Sequence, residues 1–284
     1  MPHPSFQNNI IGEPFVELES VDSTNNYALT QVYAGLAQHG TAFFAHEQVA
    51  GKGQRGKSWT SEKNSNLITS ILMNPDPLIL AHQFQLSACV AISACECLKK
   101  YAGDDMRIKW PNDLYWQDRK AGGVLIENVI GAKKMTDDRR QMGGIQGKPT
   151  INDYPSSNWL WAVAGVGINI NQAGFPAHLA NPVSLKQITG KTFNPIDLAK
   201  ELYLILDRNW KHLAGQGFEN IYSYYQQQLY KKNELVRFKK GNRSFEAVVK
   251  GVSLAGSLVV QHAIEEEITV GEVEWLLPAI PPRA

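Results

Sequence analysis

The sequence predicts an α+β protein on three observations. Helical and β-type segments are interspersed without a regular β–α–β rhythm. Apolar residues at helical spacing mark long helices, while short continuous β-branched runs mark buried strands. Beyond Lys232 the chain changes to short alternating strands separated by "KGN", "LAG" and "EEE", the pattern of a small antiparallel barrel or sandwich. Two domains are therefore expected, residues 1–232 and 233–284.

The elements follow in order. "SVDSTNNYALTQVYAGLAQHG" starts with capping residues and predicts a helix from Ser23 or Thr24 to Gly40. Strands are predicted at about 41–47 and 67–73. Leu80, Phe84, Ser87, Ala88, Ala91, Cys95 and Leu98 form a helical stripe that stops at Gly103. "MRIKW" reads as a strand, "PND" as a turn, and "AGGVLIENVI" and "WLWAVAGVGINI" as two long buried strands. The polar, glycine-rich segment 131–158 between them is expected to be mobile. Pro195, following Asn194, opens helices that run to about Tyr230 with a break at "GQG".

Composition narrows the function classes. Of 284 residues, 43% are apolar and 19% charged, as in soluble globular chains. Lys and Arg number 28 against 27 Asp and Glu, so no global field draws the chain to nucleic acid or membrane. Cys89, Cys95 and Cys97 share one predicted helix, which suits packing in a reduced compartment rather than a disulfide frame. The N-terminal stretch has no apolar signal core and no run is long enough to span a bilayer, so a cytoplasmic protein is expected.

"GKGQRGKSW" (51–59) satisfies the G-x-x-x-x-G-K-[ST] phosphate-loop pattern, which requires a strand before it and a helix after it. "TAFFAHEQV" supplies the strand. After Ser58 comes "WTSEKNSN", without an apolar stripe, and then the strand-like "LITSILM". No helix N-terminus is available to hold a phosphate. Lys52, Arg55 and Lys57 among three glycines add nothing to a core, so ligand binding is the better reading of this loop. Other segments read plainly when taken alone. "DSTN" is a helix N-cap, "WPND" a turn, Lys120 a solvated turn residue, and "GVGIN" a closely packed strand.

Taken together and in order, "GKGQRGKSW", "KWPNDLYWQDRKAGGVLIE" (109–127) and "GVGIN" (165–169) resemble the biotin–protein ligase family. Its usual pattern runs G-R-G-R-R-G-R-x-W, K-W-P-N-D, K-x-x-G and G-x-G-I-N. "DSTN" (22–25), Gln48 and the tail "GEVEW" also fall where that family has them, and the likeness covers roughly residues 16–278. It implies a mixed β-sheet flanked by helices, like the class II synthetase core, with an SH3-like C-terminal domain. It implies two reactions: biotin and MgATP give biotinyl-5′-AMP, and a lysine of a carboxylase's biotin-carrier domain then takes the biotinyl group. Lipoate or octanoate ligation is the alternative within the superfamily, and a biotin-sensing regulator is the non-enzyme alternative. The few residues before the core show no helix-turn-helix pattern, so no nucleic-acid partner is expected. A monomer or a homodimer fits equally.

The resemblance implies these roles. Ser23, Thr24, Asn25 and Gln48 match the ureido-binding positions. Lys52, Gly53, Gln54 and Trp59 match the loop over biotin, and Gly51, Arg55 and Lys57 its phosphate side. Asn112, Gly165 and Asn169 match the adenylate side, and Lys120 the key lysine, with Arg55 beside it in catalysis. The resemblance places no adenine-stacking aromatic; Phe175 is a candidate only by its position, a short loop after "GVGIN", and no residue is assigned to magnesium. One departure stands out: Gln54 replaces the first arginine of the usual Arg-Arg pair.

Overall fold

The computed structural model describes residues 9–131, 158–177, 179 and 181–277. The segment expected to be mobile, 131–158, lies outside these residues except at its two ends.

Seven strands form the main sheet: β1 (Phe15–Leu18), β2 (Ala42–Ala45), β3 (Leu67–Met73), β4 (Met106–Lys109), β5 (Asp113–Trp116), β6 (Arg119–Gly131) and β7 (Asn158–Ile168). Their order is β1-β2-β3-β7-β6-β5-β4. β1 and β2 run parallel and every other neighbouring pair is antiparallel, so the sheet is mixed, as expected. β3 is buried at every position, the consequence of an unbroken apolar run placed centrally in a sheet covered on both faces.

One face of the sheet carries α2 (Gln83–Ala102) and α4 (Pro195–Gln216), with α3 (Leu185–Thr189) and α5 (Glu219–Gln228) beside them. Asn194 Oδ1 accepts from the Ile196 amide at 3.0 Å and Pro195 opens α4, the start expected from the sequence. Ala88, Ala91, Ala94 and Cys95 of α2 pack with Leu202 and Leu206 of α4 in one core cluster. The three cysteines are buried there as free thiols, and burial pushes those of Cys95 and Cys97 up to about 12. They are packing groups, as anticipated.

α1 (Thr24–Tyr33) covers the other face. It stops at Tyr33 rather than Gly40, because Gly35 takes a left-handed φ of 73° and the chain turns toward β2. β1, β5 and α3 are further elements that the sequence reading did not identify. Each is only four or five residues long, too short for periodicity to declare it.

A second, five-stranded antiparallel sheet holds β8 (Leu235–Lys240), β9 (Arg243–Val252), β10 (Leu258–Gln261), β11 (Glu265–Ile268) and β12 (Glu274–Trp275), in the order β11-β10-β9-β8-β12. It fits the SH3-like barrel that the resemblance implies.

Candidate active site

Strand register sets the floor of the site. Across β3, β7 and β6, Ser70 faces Gly165 and Leu125, Ile68 faces Gly167 and Gly123, and Leu72 faces Val163 and Glu127. Side chains alternate along a strand, so these three rows share the face that α1 covers. The glycines make room there. A Cβ on Gly165 would sit 2.2 Å from Asn25 Oδ1, and one on Gly167 would sit 2.8 Å from the Trp59 ring. "GVGIN" is therefore glycine-rich because two side chains lie flat on it.

Ser23, Thr24 and Asn25 are all buried at the start of α1. Ser23 occupies the N-cap position but its side chain makes no cap bond. The Thr24 amide instead donates to Gln48 Oε1 at 2.7 Å, and the Thr24 hydroxyl lies 3.0 Å from the same oxygen. Ser70 Oγ lies 2.7 Å from Thr24 Oγ1 and 2.6 Å from Asn25 Oδ1. Ser70 has one proton, which the amide oxygen of Asn25 can only accept, so Thr24 is the donor towards Ser70 or Gln48. At its other end Asn25 donates through Nδ2 to Glu127 Oε2 at 2.7 Å, and Glu127 Oε1 lies 3.6 Å from Lys52 Nζ. A connected polar network thus runs from Gln48 to Lys52 beneath α1. Ser70 and Glu127 belong to it and were missed in the sequence, because only register reveals that they share a face with Gly165.

The glycine-rich loop is followed by β3, not by a helix, so it is no P-loop. It closes on itself: the Trp59 amide donates to Gly51 O at 2.8 Å and the Gly53 amide to Lys57 O at 2.6 Å. Residues 50–53 and 55–58 wall a cavity of about 520 Å³, with Leu125 and Glu127 on its floor. Gln48 passes over Gly51, where a Cβ would meet Gln48 Nε2 at 2.8 Å. Gln54 Nε2 donates to Asn112 Oδ1 at 2.6 Å, so the departure from the usual arginine still ends in a defined contact. Arg55 has a left-handed φ of 56°, uncommon outside glycine, and its Nη1 donates to Gly271 O at 2.8 Å. The Trp59 indole N–H is buried and meets no acceptor among the described residues.

Lys120 lies near the start of β6, one strand residue after Arg119, rather than in the turn. Its amide donates to Asn181 O at 2.7 Å and its carbonyl accepts from the Val183 amide at 2.9 Å, so the backbone is held on that side too. Nζ donates to Asp113 Oδ1 at 2.7 Å. The pair crosses over Gly123, where a Cβ would stand 3.0 Å from Asp113 Oδ1 and 3.6 Å from Lys120 Nζ. Asn169 reaches the same region by another route. Its amide nitrogen donates to Val183 O at 3.2 Å and Lys120 O at 3.4 Å, tying down the backbone around Lys120. Phe175 lies in the irregular segment after β7 and is partly buried.

Lys109, the lysine of "KWPND", was also overlooked. Its ammonium stands 5.3 Å from the ring centres of both Tyr115 and Trp275. Burial pushes it down to about 8; Asp113 opposes the shift, and the charges of Lys120 and Lys57 add to it. The charges of Lys57 and Lys120 thus both bear on Lys109, with Asp113 as the counter-charge it shares with Lys120.

Residues 17–136 match the biotin/lipoate A/B protein ligase family. The bifunctional ligase/repressor BirA of Escherichia coli is 41% identical over 112 residues, 39% of this chain. That alignment spans about a third of the relative, 33% of its length. The biotin–[acetyl-CoA-carboxylase] ligase of Paracoccus denitrificans is 28% identical over 253 residues, 86% of this chain and 92% of the relative. In fold, the chain resembles the biotin protein ligase of Aquifex aeolicus in complex with biotin and ATP, with a TM-score of 0.71 at 24% identity, covering 93% and 99% of the two chains. The motifs that build the basic loop and set Lys120 over Gly123 lie inside the residues that match the biotin/lipoate A/B protein ligase family.

Proposed function

We propose that the protein is a biotin–protein ligase that joins biotin to ATP as biotinyl-5′-AMP and passes the biotinyl group to a lysine of a carboxylase's biotin-carrier domain. The observation that carries this reading is the pairing of a buried hydrogen-bonding network with a fixed lysine and a cavity walled by cations. In the first step a biotin carboxylate oxygen attacks the α-phosphorus and pyrophosphate leaves. In the second, the acceptor amine attacks the acyl carbon, AMP leaves, and the amine nitrogen gives up a proton.

The network of Ser23, Thr24, Asn25 and Gln48 receives the ureido ring, whose N–H and C=O groups each need a partner once buried. Asn25 contributes chiefly by position, since Ser70 and Glu127 occupy both ends of its amide. The orphaned Trp59 N–H is a donor suited to the bound acid or its adenylate. Lys52, Gly53 and Gln54 close over the ligand, while Gly51, Arg55 and Lys57 face the phosphates. Lys120 meets the carboxylate and then the charge growing on phosphorus. That is electrostatic stabilisation by a preplaced cation, worth about 2.7–4 kcal/mol in comparable sites. Asn112, Gly165 and Asn169 shape the adenylate side, and Phe175 is the candidate stacking ring. Magnesium enters with the nucleotide as counter-ion of its phosphates. Residues 1–232 form the catalytic domain and 233–284 the C-terminal domain.

A lipoyl or octanoyl tail offers no groups to satisfy the network, which favours biotin over the two other acids of this superfamily. Pyrophosphate release with biotin, lipoate or octanoate as the sole acid tests the reading. Release with biotin alone is expected, and release with lipoate or octanoate but not biotin would overturn it.

A further inference from the structure

The segment that links β11 to β12 and runs on through β12 belongs to the second sheet, yet it touches the site of the first at two points. Gly271 accepts the Arg55 guanidinium on its carbonyl, and its φ of 96° with no Cβ makes the seat possible: a Cβ there would lie 2.6 Å from Arg55 Cζ. Four residues on, Trp275 covers Lys109 from one side while Tyr115 covers it from another. Trp275 is itself fixed, edge-on to Phe238 at 5.0 Å, and β12 is paired to β8.

We propose that Gly271 and Trp275 are positioning residues for the nucleotide: they hold Arg55 and Lys109 where the triphosphate of the bound nucleotide arrives.

Charge supports this assignment. Lys57 and Lys120 both repel Lys109, and the acidic groups that act on Lys109 are Asp113 and Glu274. Asp113 is already occupied by Lys120. A polyanion is the ligand that would offset the remaining charge. Arg55 is seated without being consumed, because a guanidinium has five N–H donors and the Gly271 carbonyl takes one. The second sheet is also docked independently of this strap. Trp110 Nε1 donates to Gly256 O at 2.9 Å, Tyr222 Oη donates to Val252 O at 2.7 Å, and Lys232 bridges to Val249. Loss of the strap contacts therefore leaves the sheet in place.

The inference rests on the ligase reading for the identity of the nucleotide, and its test separates the two. Binding of magnesium α,β-methylene-ATP, which cannot release pyrophosphate, is measured by calorimetry with saturating biotin, alongside biotin binding itself. Gly271→Ala and Trp275→Leu are each expected to weaken the nucleotide analogue by about tenfold and biotin by less than about twofold. Trp275→Phe restores most of the loss, because a ring face is kept. The wild type should bind the analogue less well above pH about 8, as Lys109 loses its proton. Trp275→Leu opens Lys109 to water and moves that break upward, an effect that a purely structural role would not produce. Should Trp275→Leu fail to fold, Gly271→Ala and Lys109→Met carry the test. Unchanged analogue affinity in Gly271→Ala and in either Trp275→Leu or Lys109→Met overturns the proposal, as does an equal loss of biotin binding. If the wild type binds the analogue but releases no pyrophosphate with biotin and ATP, the ligase reading fails and the strap stands.

Discussion

Lys120 Nζ lies 2.7 Å from Asp113 Oδ1, and the pair crosses directly over Gly123, whose missing side chain leaves the space they occupy. An ammonium held at one place by a strand neighbour costs little to reorganise when charge builds beside it. The Lys120 side chain remains 33% exposed and that of Asp113 27%, so a substrate can reach them.

Lys120→Ala should lower adenylate formation by about 10²–10³-fold while biotin binding weakens far less. Single-turnover formation of biotinyl-AMP measures the first quantity and equilibrium binding the second. A rate within about tenfold of wild type would make Lys120 a bystander.

Gly165→Ala should damage biotin binding through Asn25. The new methyl group meets Asn25 Oδ1 at 2.2 Å, so the amide must leave Ser70 and Glu127. Unpairing a buried polar group costs about 1–3 kcal/mol, which corresponds to roughly a 5- to 150-fold loss of affinity. Calorimetric titration with biotin checks it, and an affinity equal to wild type would remove Asn25 from the pocket's function.

The bond from Gln54 to Asn112 bears on how tightly the reactive intermediate is held. With Lys52 and Arg55 also anchored, at Glu127 and Gly271, the loop has three ties without the usual arginine. Wild type and Gln54→Arg, incubated with biotin, MgATP and serum albumin, should label the albumin at similarly low levels. Clearly heavier labelling by the wild type would show that glutamine lets the adenylate escape.

His39 predicts the pH dependence of stability. Burial holds its pKa below 6.5; the nearby Asp207 opposes the shift and Lys211 adds to it, and the ring's Nδ1 accepts from the Asn74 amide at 2.9 Å. The unfolded chain binds a proton near pH 6.5 and the folded chain only at lower pH. This contribution to stability is therefore complete above about pH 6.5 and declines as pH falls from there toward the folded value. Melting temperature measured from pH 8 to 5 should fall more steeply in wild type than in His39→Gln. Parallel curves would show that His39 protonates without penalty.

Much of this protein is decided by local rules visible in the chain. Asn194 and Pro195 start α4, Gly103 follows the end of α2, and the run Leu67–Met73 is a strand, because caps, left-handed glycines and apolar periodicity act over a few residues. The basic loop could be separated from a P-loop for the same reason, since the absence of a following helix is itself a local fact. What the loop's side chains touch is not local. Ser70 and Glu127 are ordinary strand residues until pairing through β7 places them on one face with Gly165. Lys109 becomes a chemical group of interest only when Trp275, far along the chain, covers it, and Gly271 only when Arg55 arrives. Residue type and spacing determined the strands, the helices and the stock of cations. Register, close approach over glycine and desolvation between two sheets decided which of those residues meet, because each depends on atoms brought together from distant parts of the chain.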